Sequence, residues 1–189
     1  DTDKKTLMIE DNYGDTPLIS AIETFGRDQV LKLKNGMTTT QRLEMVKLLV
    51  EADTDGKTLI MDNDGKTPLI TAIITDDRDQ ELELENGMTT TQRLEMVKLL
   101  LNADTDKKTL MMDNDGDTPL ITAITISDMD QLLELENGMM TTQRLEMMKL
   151  LVEADTDKKT LMIKDNNGVT PLISAIVTSD IDQKFKLEN

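Results

Sequence analysis

The tetrapeptide Thr-Pro-Leu-Ile occurs four times and constrains the fold more than any other feature of this chain. The copies are separated by 51, 51 and 52 residues, and they contain all 4 prolines of the sequence. A fixed period of this length is typical of an array of similar structural units. Residues 53–103 and 104–154 align without gaps and are identical at 39 of 51 positions. The copies begin at Thr16, Thr67, Thr118 and Thr170.

The repeat predicts one repeat domain over residues 1–189. Its units are expected at about 1–52, 53–103, 104–154 and 155–189, and the last unit lacks a second helix. Units this similar fit either a recent duplication or an engineered consensus, and the sequence does not separate the two.

A polar turn precedes each copy and predicts the start of a helix. In the third unit it reads Asp-Asn-Asp-Gly and ends at Gly116, and glycine permits the positive φ that tight turns often need. Thr118 then suits the N-cap, because its hydroxyl can accept a hydrogen bond from a free backbone N–H. Pro119 follows at the first helical position, where its missing N–H costs nothing.

The first helix of each unit is predicted to be short. In the third unit the helical spacing of apolar residues fades by Ser127 and Asp128. The next stretch, 130–138, alternates leucine with polar residues, which is typical of a strand, and its Asn-Gly pair suits a hairpin turn. A small β-hairpin and an irregular loop both fit this stretch. The short apolar run 109–112 is expected to lie extended.

The second helix has the clearest helical pattern, near residues 40–52 in the first unit. Thr38 and Gln41 have the spacing of a capping box. In the third unit Met140 breaks this box, and Thr141 is the expected cap instead.

Polar residues of this second helix fall on one narrow stripe. Glu44, Lys47 and Glu51 form the stripe, and Glu44 and Lys47 are expected to pair along the helix. The rest of the helix is mostly apolar, which predicts packing on more than one side.

Taken together, these motifs resemble the ankyrin repeat. The resemblance rests on Asp-x-x-Gly-x-Thr-Pro-Leu, on alanine four residues after proline (Ala72 and Ala123), and on Leu-Glu-Met-Val-Lys-Leu-Leu followed by Ala-Asp. It implies an all-α fold, an ankyrin-like α-solenoid of antiparallel helix pairs with turns at one edge. It also implies a protein-binding scaffold rather than an enzyme, and an intracellular location follows from this resemblance alone.

Two departures from the ankyrin pattern affect these expectations. Ankyrin repeats have about 33 residues, whereas these units have 51, and the surplus falls between the helices, from about Asp76 to Thr90 in the second unit. We therefore expect an enlarged inter-helix connection with turn or β-hairpin elements, lined up along one side. The histidine usual after Thr-Pro-Leu is isoleucine here, at Ile19, Ile70, Ile121 and Ile173.

Charge and composition narrow the functional classes. A net charge of −16 disfavours nucleic acid and anionic membranes as partners and is compatible with a basic protein. The chain has no His and no Cys and shows no Gly-rich phosphate loop, so we predict no enzymatic activity, no catalytic residue, no cofactor and no resident metal. Calcium-dependent adhesion through the Asp-rich turns is a weaker alternative, since glycine comes fourth there rather than sixth as in an EF-hand loop.

Variation between the units predicts where a partner binds. The framework is nearly constant, whereas the turn tips and the residues that end the first helix differ. Neutral drift at exposed positions gives the same pattern, and a structural or designed array without a dedicated partner is the alternative function. Because both ends of the array lack a neighbouring second helix, end-to-end self-association or removal from a longer array is also expected. The predicted partner-binding residues are Tyr13, Asp15, Phe25, Arg27, Asp64, Lys66, Asp76, Arg78, Asp115, Asp117, Ser127 and Met129.

Overall fold

A computed structural model describes residues 5–30, 38–60, 65, 67–74, 90–111, 116–132 and 141–177. Within these ranges the regular secondary structure is helical. The first helices of the units are α1 (Pro17–Val30), α3 (Pro68–Ile74), α5 (Pro119–Leu132) and the helical segment α7 (171–177). The second helices are α2 (Thr39–Ala52), α4 (Thr90–Ala103) and α6 (Thr141–Ala154). Single 3₁₀ turns lie at Lys5–Met8, Lys57–Leu59, Lys108–Leu110 and Thr160–Met162.

The helices pack in the order in which they occur along the chain. In the first three units the first helix contacts the second helix of its own unit: α1 contacts α2, α3 contacts α4, and α5 contacts α6. Along one row α1 contacts α3 and α3 contacts α5, and along the other α2 contacts α4 and α4 contacts α6. This consecutive packing is that of a helical repeat with two rows of helices.

The core between the two rows is aliphatic. Leu69 and Ile73 on α3 and Leu100 on α4 are among its fully buried side chains. Met96 and Met147 are also fully buried, so these two methionines fill the core as flexible apolar side chains do elsewhere. The wide apolar surface of the second helices is therefore used on several sides at once, as predicted.

The predicted helix starts are confirmed. The turn glycines of the four units have φ between 79° and 89°. The threonine hydroxyls of all four Thr-Pro pairs accept from the N–H three residues later, at 3.4 Å, 3.1 Å, 3.2 Å and 3.4 Å from the first unit to the fourth. The capping box of α2 is also present, with Gln41 N donating to Thr38 Oγ1 at 3.2 Å and Thr38 N donating to Gln41 Oε1 at 2.9 Å.

The predicted end of the first helix is wrong. α5 continues past Ser127 and Asp128 to Leu132, and α1 reaches Val30, so residues 130–132 are helical and do not begin a strand. No glycine or proline lies between 120 and 137 to end the helix, and the polar residues at 127–131 do not end it by themselves. The stretches 133–140 and 75–89 lie outside the described residues, so the hairpin, the loop and the enlarged connection stay predictions.

Two smaller expectations also fail. Residues Lys108–Leu110 form a 3₁₀ turn where an extended run was expected. A carboxylate described below holds the backbone N–H groups of this turn and accounts for its shape. Thr141 is the first helical residue of α6, one position inside the place of a cap, and position 140 lies outside the described residues.

Candidate functional site

The turn tip of the first unit is held by its own aspartate. Asp11 Oδ1 accepts hydrogen bonds from Tyr13 N at 2.7 Å and from Asp15 N at 3.1 Å, and Gly14 N donates to the Asp11 carbonyl at 3.1 Å. Short-range carboxylate-to-backbone bonds of this kind are what aspartate contributes to turns. The Tyr13 side chain is 74% exposed at the tip. A rigid turn thus presents an aromatic side chain to solvent.

The turn of the fourth unit repeats these bonds with different side chains. Asp165 Oδ1 accepts from Asn167 N at 2.9 Å and from Val169 N at 2.7 Å, and Gly168 N donates to the Asp165 carbonyl at 2.9 Å. Asp165 N also donates to the Val169 carbonyl at 2.9 Å, as Asp11 N does to the Asp15 carbonyl at 3.0 Å in the first unit. The backbone is therefore constant while the exposed residues change.

The same bonds bear on the calcium alternative. In both of these turns the leading carboxylate, Asp11 or Asp165, is engaged by the N–H groups of its own turn. In the part of the chain that the structure describes, no group of three or more acidic side chains is placed to hold a metal ion. Residues 113–115 of the third turn are outside that part. In the two described turns, hydrogen bonds to the backbone account for the presence of Asp11 and Asp165 without a bound ion.

The structure locates only part of the predicted partner surface. Tyr13 is exposed, and Asp15 and Asp117 are partly buried. Four further positions have their backbone in a helix, while their side chains are outside the description: Phe25 and Arg27 in α1, and Ser127 and Met129 in α5. The remaining five lie outside the described residues: Asp64, Lys66, Asp76, Arg78 and Asp115.

A second aspartate organises the loop after each second helix, and its role was not predicted. After the second helix of the second unit, Asp104 is buried and accepts from Lys108 N at 3.1 Å, from Thr109 N at 2.7 Å and from the Thr109 hydroxyl at 2.6 Å. Asp53 with Thr58 and Asp155 with Thr160 form the same bonds. The repeated spacing Asp-x-x-x-x-Thr was the available signal. These aspartates serve the fold, and they leave the turn tips as the variable acidic surface.

Ion pairs join successive second helices. Lys47 Nζ lies 2.9 Å from Glu95 Oε1, and Lys98 Nζ lies 3.1 Å from Glu146 Oε1. The hydrogen bond with Glu95 raises the pKa of Lys47. The direct contact of Lys47 is with Glu95 on the neighbouring helix, whereas Glu44 contributes only a weaker charge attraction, which also raises the pKa of Lys47.

Buried arginines near the start of the second helices are a further repeated feature, which the sequence pattern did not predict. Each arginine follows Thr-Gln at the polar start of its helix. All three are nevertheless buried: Arg42, Arg93 and Arg144. Burial lowers the pKa of Arg42, since desolvation disfavours the charged form. A cation withdrawn from solvent in every described second helix belongs to the framework and not to an exposed binding surface.

At the C-terminal end of the described chain, apolar side chains that are buried elsewhere become exposed. Leu172 of α7 is 69% exposed, whereas the equivalent Leu69 of α3 is 0% exposed. Leu145 of α6 is 47% exposed, whereas the equivalent Leu94 of α4 is 6% exposed. The array therefore carries two different kinds of accessible surface, the polar turn tips and this apolar end.

None of the helices in the described ranges combines the length and the apolar character that a membrane span needs. No family model matches the chain, and a search of curated proteins finds no similar sequence.

Proposed function

We propose that this chain is an ankyrin-like α-solenoid that binds a protein partner along its turn tips and the surface of its first helices. One observation carries the proposal. The turns of the first and fourth units make the same backbone hydrogen bonds while Tyr13 and Asp15 in one are replaced by Asn167 and Val169 in the other. A constant backbone that displays changing side chains is the arrangement that recognition by a repeat array requires.

The chemistry of the tips supports a protein partner. Tyr13 offers a large, exposed and amphipathic side chain, and tyrosine is among the residues that most often anchor protein interfaces. The net charge of −16 favours a basic partner, because opposite charge accelerates encounter and disfavours acidic competitors.

The rows of helices support the solenoid part of the proposal. Helices α1, α3 and α5 contact one another in sequence, and so do α2, α4 and α6, which is the packing that a solenoid requires. The proposal places the enlarged connections, about Asp76 to Thr90 in the second unit, along one side of the array. In this arrangement the enlarged connections extend the binding surface that the turn tips form.

The test is affinity capture with turn-exchange variants. The chain serves as bait in a cell extract, beside a variant in which the first turn carries the residues of the fourth, Tyr13→Asn with Asp15→Val. Because both sets of residues occur on the same backbone, this variant should fold and melt as the parent does. A control variant, Glu51→Gln, changes an exposed residue on α2 away from the turns.

We expect a captured protein that is lost with the turn-exchange variant, retained with the control, and released as salt is raised. The purified captured protein should then bind the parent chain directly. If all three baits capture the same proteins, or none captures any, the structural array without a dedicated partner becomes the better description.

A further inference from the structure

One exposed position in the loops after the second helices is apolar in every unit. It follows the shared sequence Lys-Thr-Leu of the 3₁₀ turn. Single apolar residues on a surface are common and need no explanation, whereas a row of them often marks a binding site. The four residues are Met8, Ile60, Met111 and Met162, which are 38%, 44%, 47% and 78% exposed.

These loops lie next to one another, so the four positions belong to one surface. The 3₁₀ turn Lys5–Met8 contacts the 3₁₀ turn Lys57–Leu59. The loop 53–60 and the next loop, 104–111, together line one cleft, and 104–111 and 155–160 line another. The loops of Ile60 and Met111 thus have a loop of the same kind on either side, and their exposure does not depend on an end of the chain. We call residues 5–8, 53–60, 104–111 and 155–162 the loop row.

The two clefts are equivalent and small. The first has a volume of about 140 Å³ and is lined by Leu59 and Ile60, and the second has a volume of about 290 Å³ and is lined by the equivalent Leu110 and Met111. Pockets for small molecules usually have about 300–1,000 Å³, so each cleft suits an inserted side chain better than a separate ligand. Apolar side chains and clefts therefore recur together along the loop row, once in each unit.

The charges of the loop row are balanced, unlike those of the whole chain. The net charge of the chain is −16, so two copies repel each other over most of their surface. Residues 104–111 and 155–162, however, each contain two aspartates and two lysines. Exposed ion pairs join Asp106 to Lys108 at 3.0 Å and Asp157 to Lys159 at 2.7 Å. Two loop rows can therefore face each other without opposing like charges.

We propose that the loop row is a contact face between two copies of this chain that lie side by side. The apolar side chains of one copy enter the clefts of the other, and the aspartates and lysines of the exposed pairs bind across the contact. Such a contact is symmetric, because the same surface serves both copies. It is separate from the turn tips and does not rest on the function proposed for them.

The period of the loop row favours a second copy over other occupants. A partner fills both clefts only if its own side chains recur at the spacing of the units, and a second copy has that spacing by construction. A basic peptide gains little here, because the aspartates of the loop row are already balanced by lysines.

The test is sedimentation equilibrium of the purified chain between about 10 μM and about 1 mM. We expect the average mass to rise from that of one chain towards that of two. High salt should strengthen the association, because it screens the repulsion between the two acidic chains and leaves the apolar contact intact. Ile60→Asp or Met111→Asp should weaken it about tenfold or more, since a symmetric contact contains each change twice.

The matched control is Leu48→Asp, which changes an equally exposed apolar residue on α2, outside the loop row. It should associate as the parent does, as should the conservative variant Met111→Leu. Thermal melting of every variant checks that the fold is retained.

Cross-linking provides a second measurement that does not rely on a loss of association. The chain has no cysteine, so single cysteines can be introduced at chosen positions. A mixture of Ile60→Cys and Met111→Cys chains should form covalent dimers with a bismaleimide reagent faster than Leu48→Cys chains do.

Three results would overturn the proposal. One is the mass of a single chain at about 1 mM in high salt, without faster cross-linking through the loop row. Another is association that both Ile60→Asp and Met111→Asp leave unchanged. The third is association that is lost in the turn-exchange variant, Tyr13→Asn with Asp15→Val, since this would assign the contact to the turn tips.

Discussion

The helices α3 and α7 share the sequence Pro-Leu-Ile-x-Ala-Ile and differ in burial at four of its six positions. Leu69 of α3 is inaccessible to solvent, whereas Leu172 of α7 is largely exposed. Both begin with a threonine cap and follow a glycine turn of similar φ. The comparison separates two levels of structure. The sequence of a unit sets its turn and its helix, whereas neighbouring units set how much of that helix contributes to the core.

The largest expected difference concerns the core leucines. Leu69→Ala should reduce the free energy of unfolding by about 2–5 kcal/mol, since it leaves a cavity among fully packed side chains. Leu172→Ala, the same change at the same helix position, should cost less than about 1 kcal/mol, because solvent already contacts that side chain. Urea unfolding followed by far-UV circular dichroism measures both. Equal losses would mean that α7 is covered in solution.

The turn glycines provide a second comparison. Alanine at Gly116 or at Gly168 meets the same backbone strain, because φ is +84° and +79°. At Gly116 the new Cβ would also lie 2.9 Å from Asn166 Oδ1, whereas at Gly168 nothing lies within 4 Å. We expect Gly116→Ala to cost about 1–3 kcal/mol more than Gly168→Ala. Thermal melting of the two variants tests whether successive turns stack in solution, and identical melting would exclude it.

Helix caps should show a smaller contrast. Thr118→Ala removes a buried acceptor for Ile121 N and should cost about 1 kcal/mol. Thr170→Ala removes a longer and less buried bond to Ile173 N, so we expect roughly half that loss. Chemical denaturation compares them, with the conservative change to serine at each position as the control. A larger loss at Thr170 would show that the end helix depends on its cap because it lacks packing.

The smallest contrast is electrostatic. Exposed ion pairs contribute about 0.2–1 kcal/mol, and Lys98→Gln, which breaks the contact with Glu146, should fall at the low end of that range. Lys149→Gln, at the equivalent position of α6, breaks no ion pair among the described residues and should have no measurable effect on stability. Thermal melting of the two variants measures the change in stability. At high salt the stability loss of Lys98→Gln should disappear, because salt screens exposed charges. A salt-independent loss would point instead to packing of the lysine stem.

Local features of the fold were predictable from the sequence because each depends on a few adjacent residues. The glycine turn, the threonine cap at Thr118 and the capping box of Thr38 and Gln41 all follow from side chains within four positions of one another. The period of the repeat likewise predicted helices in consecutive contact, since a single helix pair cannot bury its apolar faces.

Features that depend on neighbouring units were not predictable to the same degree. Lys47 pairs directly with Glu95 from the next unit rather than with Glu44, which is three positions before it in the same helix, and no single-helix pattern distinguishes the two choices. The buried Asp104 and Arg42 look like surface residues in the sequence. Leucine alternates with polar residues over 130–138, a pattern typical of a strand. The first residues of this stretch instead continue α5 to Leu132.

The exposed surfaces also divide into a part that depends on adjacent residues and a part that depends on neighbouring units. The turn tips could be located because a rigid turn has a strong sequence signature, and Tyr13 is exposed there. The exposure of Leu172 could not be predicted, because Leu172 and Leu69 have nearly the same local sequence and differ in the units that surround them.

The short reach of the stabilising contacts has a consequence for how fast the chain folds. The loop bonds of Asp104 join residues four and five positions apart, and the caps join residues three apart. The ion pairs between second helices join residues 48 apart and so extend only to the next unit. Chains dominated by local contacts have low contact order and fold quickly, since little loop entropy is lost before the first contacts form. Folding of this array can begin in any unit and spread to the next, so slow folding is expected only where a change interrupts that spread.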